Sequence, residues 1–254
     1  MDLVFRLKNK AFDCVDKLRN SPVGINSYDN RLLAEVVSKK TQIYVNNSNE
    51  KVLPNSNYLS LLTAFHSLEN MRTVIDFGGA AGIHYFLSKS FVPNLESWTI
   101  IETNAMVEQQ EQNKEKKLKF CTMEDLIIGG FDCDLLYLSS SLQYLEDPIQ
   151  ILTQLIQIKP KLILITRTPF NQKVNNAIFT QTSKLSSNGP GPLPSNYKDC
   201  KIQYQVNVPS YSQVIDLLEE KYSIQWTCSE NEEMIGTDKS RYQYLSILAK
   251  SKNL

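Results

Sequence analysis

The sequence predicts an α/β chain: a doubly wound sheet of about seven strands, mostly parallel with an antiparallel last strand, plus an N-terminal helical extension. Three observations predict it. From about residue 72 onward, short β-branched runs alternate with helical patterns, as in successive βαβ units. One run, Asp134-Leu135-Leu136-Tyr137-Leu138, is apolar nearly throughout, as a central strand covered on both faces must be. The last run, 242–249, has no helix after it and follows a polar loop, which suits an antiparallel terminal strand.

Residues 1–70 read as a helical extension or lid. Helical patterns fit 3–18 and 30–44, and Tyr58, Leu61, Leu62 and Phe65 share one helical face. Residues 71–254 form the sheet domain. Thr73-Val74-Ile75-Asp76-Phe77 is its first strand, stopped by Gly78-Gly79 and followed by a helix over 83–90. The second strand is 98–101, followed by a polar helix over 104–117, and the third is 118–121, with a short helix over 124–128. After the fourth strand, Asp147-Pro148 gives an N-cap with proline at the first helical position. Leu162-Ile163-Leu164-Ile165 is a fifth, buried strand. Residues 171–208, with Gly189-Pro190-Gly191-Pro192-Leu193-Pro194, interrupt the alternation as an insertion or substrate loop. Ser210 with Gln213 predicts a capping box for the last helix, whose stripe is Ile215, Leu218 and Tyr222. Strands over 223–228 and 242–249 close the chain.

Composition narrows the function classes. Lys+Arg and Asp+Glu both number 27, so there is no basic excess to hold nucleic acid. No apolar run reaches the roughly 20 residues of a membrane span, and charges interrupt the N-terminus too often for a signal peptide. Five scattered cysteines without a CxxC pair point to a reducing compartment, hence a cytoplasmic protein. With only two histidines, no metal site is expected. Oligomeric state is not legible.

The chemistry concentrates in Val74-Ile75-Asp76-Phe77-Gly78-Gly79-Ala80-Ala81-Gly82-Ile83-His84, a strand running through a small-residue turn into a helix. Small residues let a ligand approach the backbone, although a tight strand-to-helix turn requires them anyway. Glu102 ends the second strand. An acid at that place accepts hydrogen bonds from the ribose hydroxyls of an adenosine-containing ligand, or merely starts a helix. Ala80 stands where a dinucleotide-binding GxG has its second glycine, and a carboxylate at Asp76 repels a pyrophosphate. The pattern favours an adenosine ligand that carries an ammonium and no phosphates.

From Val74 to Gly82 this segment resembles the first motif of the class I S-adenosylmethionine-dependent methyltransferases, with Ala80 in place of the middle glycine. The resemblance covers roughly residues 70–250. It includes Glu102, the segment Thr122-Met123-Glu124-Asp125-Leu126, and Phe131 to Pro148, with Gln143 and Tyr144 where many members carry histidines. FGGAAGIHYF with SSSLQYLEDP and ITRTPF is similar to a methyltransferase group often encoded among bacterial surface-polysaccharide genes. The resemblance implies a Rossmann-like fold and S-adenosylmethionine as cofactor. Gly78, Gly79, Ala80 and Gly82 would line the cofactor's amino-acid end, with Asp76 near its ammonium. Glu102 and Thr103 would take the ribose, Met123 and Glu124 would flank the adenine, and Ser139 and Ser140 would lie near the sulfonium. Thr122 and Asp125 also read as a capping box, which gives Asp125 a purely helical role.

Three residues are candidates for the chemistry on the acceptor. His84, in the first turn of its helix, is either a general base or a packing residue. Tyr144 faces the site or the core. Arg167 follows the fifth strand and either binds an acidic group of the acceptor or pairs with a helix. His66 reads as structural, and Lys114-Glu115-Lys116-Lys117 as a solvated face. The expected activity is methyl transfer to a small molecule, at an oxygen of a saccharide or nucleotide-sugar. The competing readings are a catalytically silent adenosine-ligand-binding partner subunit and an NAD(P)-dependent oxidoreductase or epimerase.

Overall fold

Parallel strands need a crossover between them, and the first four apolar runs are each followed by a helix that supplies one. The computed structural model of the chain describes residues 28–47 and 57–254, apart from positions 114, 174 and 238. The helix expected over 3–18 lies outside the described residues. Helices α1 (Arg31–Asn47) and α2 (Asn57–His66) precede strand β1 (Thr73–Phe77) and helix α3 (Ile83–Ser88). Then come β2 (Ser97–Ile101), α4 (Asn104–Gln110), β3 (Leu118–Cys121), α5 (Met123–Gly129), β4 (Leu135–Ser139) and α6 (Pro148–Ile156). Strand β5 (Leu162–Phe170), the hairpin β6 (Ala177–Lys184) and β7 (Lys201–Val208), helix α7 (Tyr211–Glu219), β8 (Tyr222–Ile235) and β9 (Arg241–Ser251) complete the order.

Seven strands form one sheet in the order β3-β2-β1-β4-β5-β9-β8. The first five are parallel; β9 runs antiparallel to β5 and to β8. The order reverses between β1 and β4, and the crevice at such a reversal is where open α/β sheets bind ligands. The register pairs Asp76 with Ile100, so Glu102, two residues further on, projects from the same face just beyond the strand end.

The two faces are covered as the apolar pattern requires. Leu61, Ala64 and Phe65 of α2 pack with Val74, Trp98, Leu135 and Leu164 on one face, so α2 is integral to the sheet's cover. Helices α5, α6 and α7 cover the other through Leu126, Leu152, Leu155, Val214 and Leu218. A third cluster joins α1 to the hairpin and to Ala81, Ala105 and Met106, at the sheet edge where the strands end.

Local signals decide the helix ends. Thr122 and Asp125 form the capping box of α5, and Asp147 accepts from the Gln150 N–H with Pro148 opening α6. Ser210 caps α7 without a side-chain bond. Its N–H is held by Asn176 Oδ1 and its hydroxyl meets Ser212, so it fastens the base of the hairpin instead of completing a capping box. Helix α4 stops at Gln110 and not near 117, because after Val107 no apolar residue remains to hold a stripe against the core. Residues 171–208 contain the hairpin of β6 and β7. Ile202, Tyr204, Val206 and Val208 are buried at alternate positions of β7, as one face of a strand must be. Strand β8 runs on through the polar Ser229–Glu233 stretch, past two irregularities in its pairing with β9. Among the described residues no helix is long and apolar enough to cross a membrane.

Candidate active site

The turn between β1 and α3 is set by backbone conformation and close packing. Gly78, Ala80 and Gly82 have φ of +72°, +49° and +85°. A methyl group on Gly78 would stand 2.7 Å from Ser141 Cβ, and one on Gly79 2.5 Å from Asp76 Oδ2. Both glycines are thus required by the fold itself. Ala80 takes a left-handed conformation that costs a residue with a side chain about 1–3 kcal/mol. Its N–H donates to Glu102 Oε1 at 2.9 Å, while the Thr103 N–H donates to Glu102 Oε2 at 2.9 Å. Burial pushes the Glu102 pKa up, opposed by those two N–H groups. A carboxylate has about four acceptor positions, so two remain for a diol. The side-chain oxygens of Thr103 and Ser141, beside this turn, are buried without partners.

Asp76 is fully buried. Its Oδ2 accepts from His84 Nδ1 at 3.1 Å and from Trp98 Nε1 at 3.2 Å, and its Oδ1 has no partner. The His84 ring lies 5.0 Å from the ring of Tyr137 and 6.1 Å from that of Tyr58, and the residue is 8% exposed. His84 is therefore packed behind the turn with one ring nitrogen committed to a carboxylate.

The ends of β4 and β5 continue the edge. Ser139 is buried. Ser140 has φ +55°, donates its N–H to the Thr166 carbonyl at 3.0 Å and accepts from Gln143 Nε2 at 2.9 Å. Burial, above all, pushes the Tyr137 hydroxyl up to about 12. Arg167 has φ +51°, in the irregular stretch of β5 where pairing with β9 shifts. Its N–H donates to Glu230 Oε1 at 2.7 Å and its carbonyl accepts from Gln143 Nε2 at 3.4 Å, and the residue is exposed. Ala80, Ser140 and Arg167 bring three left-handed non-glycine residues to one sheet edge, the kind of strain that gathers at ligand sites.

The remaining predicted residues spread out. Met123 packs partly into the core beneath α5, and Glu124 is exposed in that helix's first turn. Tyr144 belongs to an aromatic trio: its ring centroid is 5.0 Å from Tyr28 and 5.2 Å from Tyr204. Residues 28–47 lie over the starts of α3 and α4. Asp29 accepts from the Ala105 N–H at 2.9 Å, and Leu33, Ala34 and Val37 pack into the cluster that holds Ala81, Ala105 and Met106. Side chains of α1 thus occupy ground in front of the glycine turn. The structure joins Asp76, Ala80, Glu102 and Thr103 around one turn.

Sequence reasoning missed Tyr28, Asp29, Trp98, Tyr204 and Glu230. Each acts across the fold, and none has a neighbour in sequence that marks it. Glu230, in the acidic run of β8, was readable only as a solvated charge. Among the described residues no group of three His, Cys, Asp or Glu side chains gathers to hold a metal. A cavity of about 400 Å³ lies between β6 and the end of β8, lined by residues such as Phe179, Gln181, Glu233 and Tyr244. A second, of about 510 Å³, lies beside Tyr85, Lys89 and Lys117.

No protein-family model matches the sequence, and no curated protein matches it. Solved structures do. The chain is similar to the N-terminal domain of EvdMO1, solved with S-adenosylhomocysteine bound, at 9% identity and a TM-score of 0.52, over 88% of this chain and 98% of that one. This chain has the Rossmann-like methyltransferase fold. It is similar also to the [4+2]-cyclase SpnF, at 10% identity and a TM-score of 0.51, over 89% of this chain and 96% of that one. An S-adenosylmethionine-dependent methyltransferase from Methanosarcina mazei matches at 13% identity and a TM-score of 0.48, over 79% and 98% of the two chains. A methyltransferase fold does not by itself fix the reaction, since a cyclase shares it; the chemistry must be argued from the site.

Proposed function

We propose that this chain binds S-adenosylmethionine across the ends of β1, β2 and β4 and transfers its methyl group to an oxygen of a small, saccharide-type acceptor. The observation that carries the reading is Glu102, a carboxylate at the end of β2 tied to the left-handed turn through the Ala80 N–H at 2.9 Å. Glu102 and Thr103 hold the ribose; Gly78, Gly79, Ala80 and Gly82 form the floor for the amino-acid end; Asp76 gives that floor negative charge. Met123 and Glu124 flank the adenine, and Ser139 and Ser140 border the reacting end. Unpartnered buried oxygens on Asp76, Thr103 and Ser141 fit a polar ligand beside the turn. A dinucleotide fits less well, because a pyrophosphate at this turn would face the buried Asp76 carboxylate.

When bound, the cofactor supplies a methyl group on a cationic sulfur. The protein's part is to align the acceptor and exclude water, which can be worth roughly 7–11 kcal/mol. A hydroxyl acceptor needs a general base, whereas a carboxylate oxygen is already anionic. The burial of His84 against Tyr58 and Tyr137 favours a carboxylate acceptor, which needs no base, and Arg167 is the cation suited to hold it. Tyr144 shapes the space between the turn and the hairpin.

The experiment is incubation with methyl-labelled S-adenosylmethionine and D-glucuronate or D-galacturonate, beside D-glucose and D-galactose. The expected result is label in an acid, released as methanol by mild alkali. Label in none of the four would contradict the acceptor class. Binding of the cofactor without transfer to any small molecule would favour a silent partner subunit.

A further inference from the structure

Asp76 and His84 stand at opposite ends of the turn, one near the end of β1 and the other in the first turn of α3. Their contact therefore closes the turn like a clasp. The carboxylate lies directly beneath Gly79, where an added methyl group would stand 2.5 Å from Oδ2 and 2.9 Å from Oδ1. Both donors, His84 Nδ1 and Trp98 Nε1, converge on Oδ2, while Oδ1 is buried with nothing bound to it. A buried carboxylate with one bare oxygen is costly unless positive charge comes near. The described charged and titratable groups facing the pair are few: Tyr58 and Tyr137 are neutral hydroxyls raised by burial, Arg167 acts on those tyrosines from the strand end, and the Glu102 carboxylate couples to Asp76 across the turn.

We infer that His84 is a positioning residue that acts through Asp76. Its Nδ1–H, together with the Trp98 indole N–H, fixes the carboxylate in one orientation under the turn. The negative charge held there selects the cationic amino-acid end of the ligand; the adenosine end is left to Glu102. This rests on the proposed cofactor reading. It assigns His84 a task distinct from proton removal at the acceptor.

Two ligands separate the ends. S-adenosylhomocysteine carries the ammonium, and 5′-methylthioadenosine keeps the adenosine and thioether without it. Calorimetric titration of His84→Leu should show S-adenosylhomocysteine weakened by about tenfold or more, with 5′-methylthioadenosine changed by less than about twofold. His84→Asn, whose amide N–H can take the place of Nδ1–H, should recover most of the loss. Trp98→Phe removes the second donor while keeping an aromatic ring. It should show the same selective weakening, and it carries the test if His84→Leu does not fold. Equal weakening of both ligands, or no weakening of either, would overturn the inference. Binding of neither ligand by the wild-type chain would instead remove the cofactor reading, and the inference with it.

Discussion

Glu102 meets the demands of two partners at once, since its carboxylate stabilises a strained turn and has acceptor positions to spare. Glu102→Gln keeps the size and removes the charge; S-adenosylhomocysteine should bind about 10–100-fold more weakly, as for loss of a charge-assisted hydrogen bond. Because burial raises the Glu102 pKa, the ionised form is present above the raised value and is lost as pH falls through it. Wild-type affinity should therefore begin to drop at a higher pH than an ordinary glutamate would give, and calorimetry across pH 4–8 should show that step vanish in Glu102→Gln. Arg167 makes a different prediction. Arg167→Gln should raise KM for an acidic acceptor about tenfold or more with kcat little changed, since its proposed role is to hold the acceptor. Asp134 tests stability and not function. Burial opposes its charge, but Lys161 at 2.7 Å and the N–H groups of Arg72 and Thr73 prevail and hold its pKa below the usual value. Its contribution is full above the unfolded carboxyl pKa and is lost as pH falls through the lower, folded value. Asp134→Asn should cost about 1–3 kcal/mol at pH 7 in denaturant unfolding, with the gap to wild type closing in acid.

Helix α1 and the hairpin behave as one element in the contacts they make. The buried Lys40 ammonium donates to the carbonyls of Ser186 and Asn188, at 2.7 and 2.6 Å, tying α1 to the loop that follows β6. Lys40→Met removes both bonds while keeping the bulk, and should raise hydrogen exchange over 31–47 and 185–199 together, with β1 and β4 unchanged. Exchange rising in only one of the two segments would show that they are not coupled there. This element is also where the sequence was least legible. The Gly-Pro run 189–194 dominates the pattern of 171–208 and hides the alternation of Ile202, Tyr204, Val206 and Val208. Strands β1, β2 and β4 were legible because burial on both faces writes itself as continuous apolar runs. The caps at Thr122 and Asp147 were legible because they are local. The pairing of His84 with Asp76 is local too, eight residues apart, yet it required the turn to fold back between them. Glu230 beneath Arg167, and Tyr28 against Tyr144, depend on tertiary packing that no spacing encodes.

At the scale of the whole molecule, the strand order brings the ends of β1, β2, β4 and β5, with Asp76, Glu102, Ser140 and Arg167, to one sheet edge. The order reverses between β1 and β4, β2 brings Glu102 to that place, and β5 brings Arg167 to the same edge. The same fold supports a cyclase in SpnF, so the central claim is about what the crevice holds and not about the fold. Calorimetric titration of the full chain with S-adenosylhomocysteine tests that claim most directly. The prediction is one site per chain with a Kd in the micromolar range, about −8 kcal/mol, and no comparable heat from NADH. No binding of S-adenosylhomocysteine or S-adenosylmethionine, or binding of NADH in their place, would contradict it.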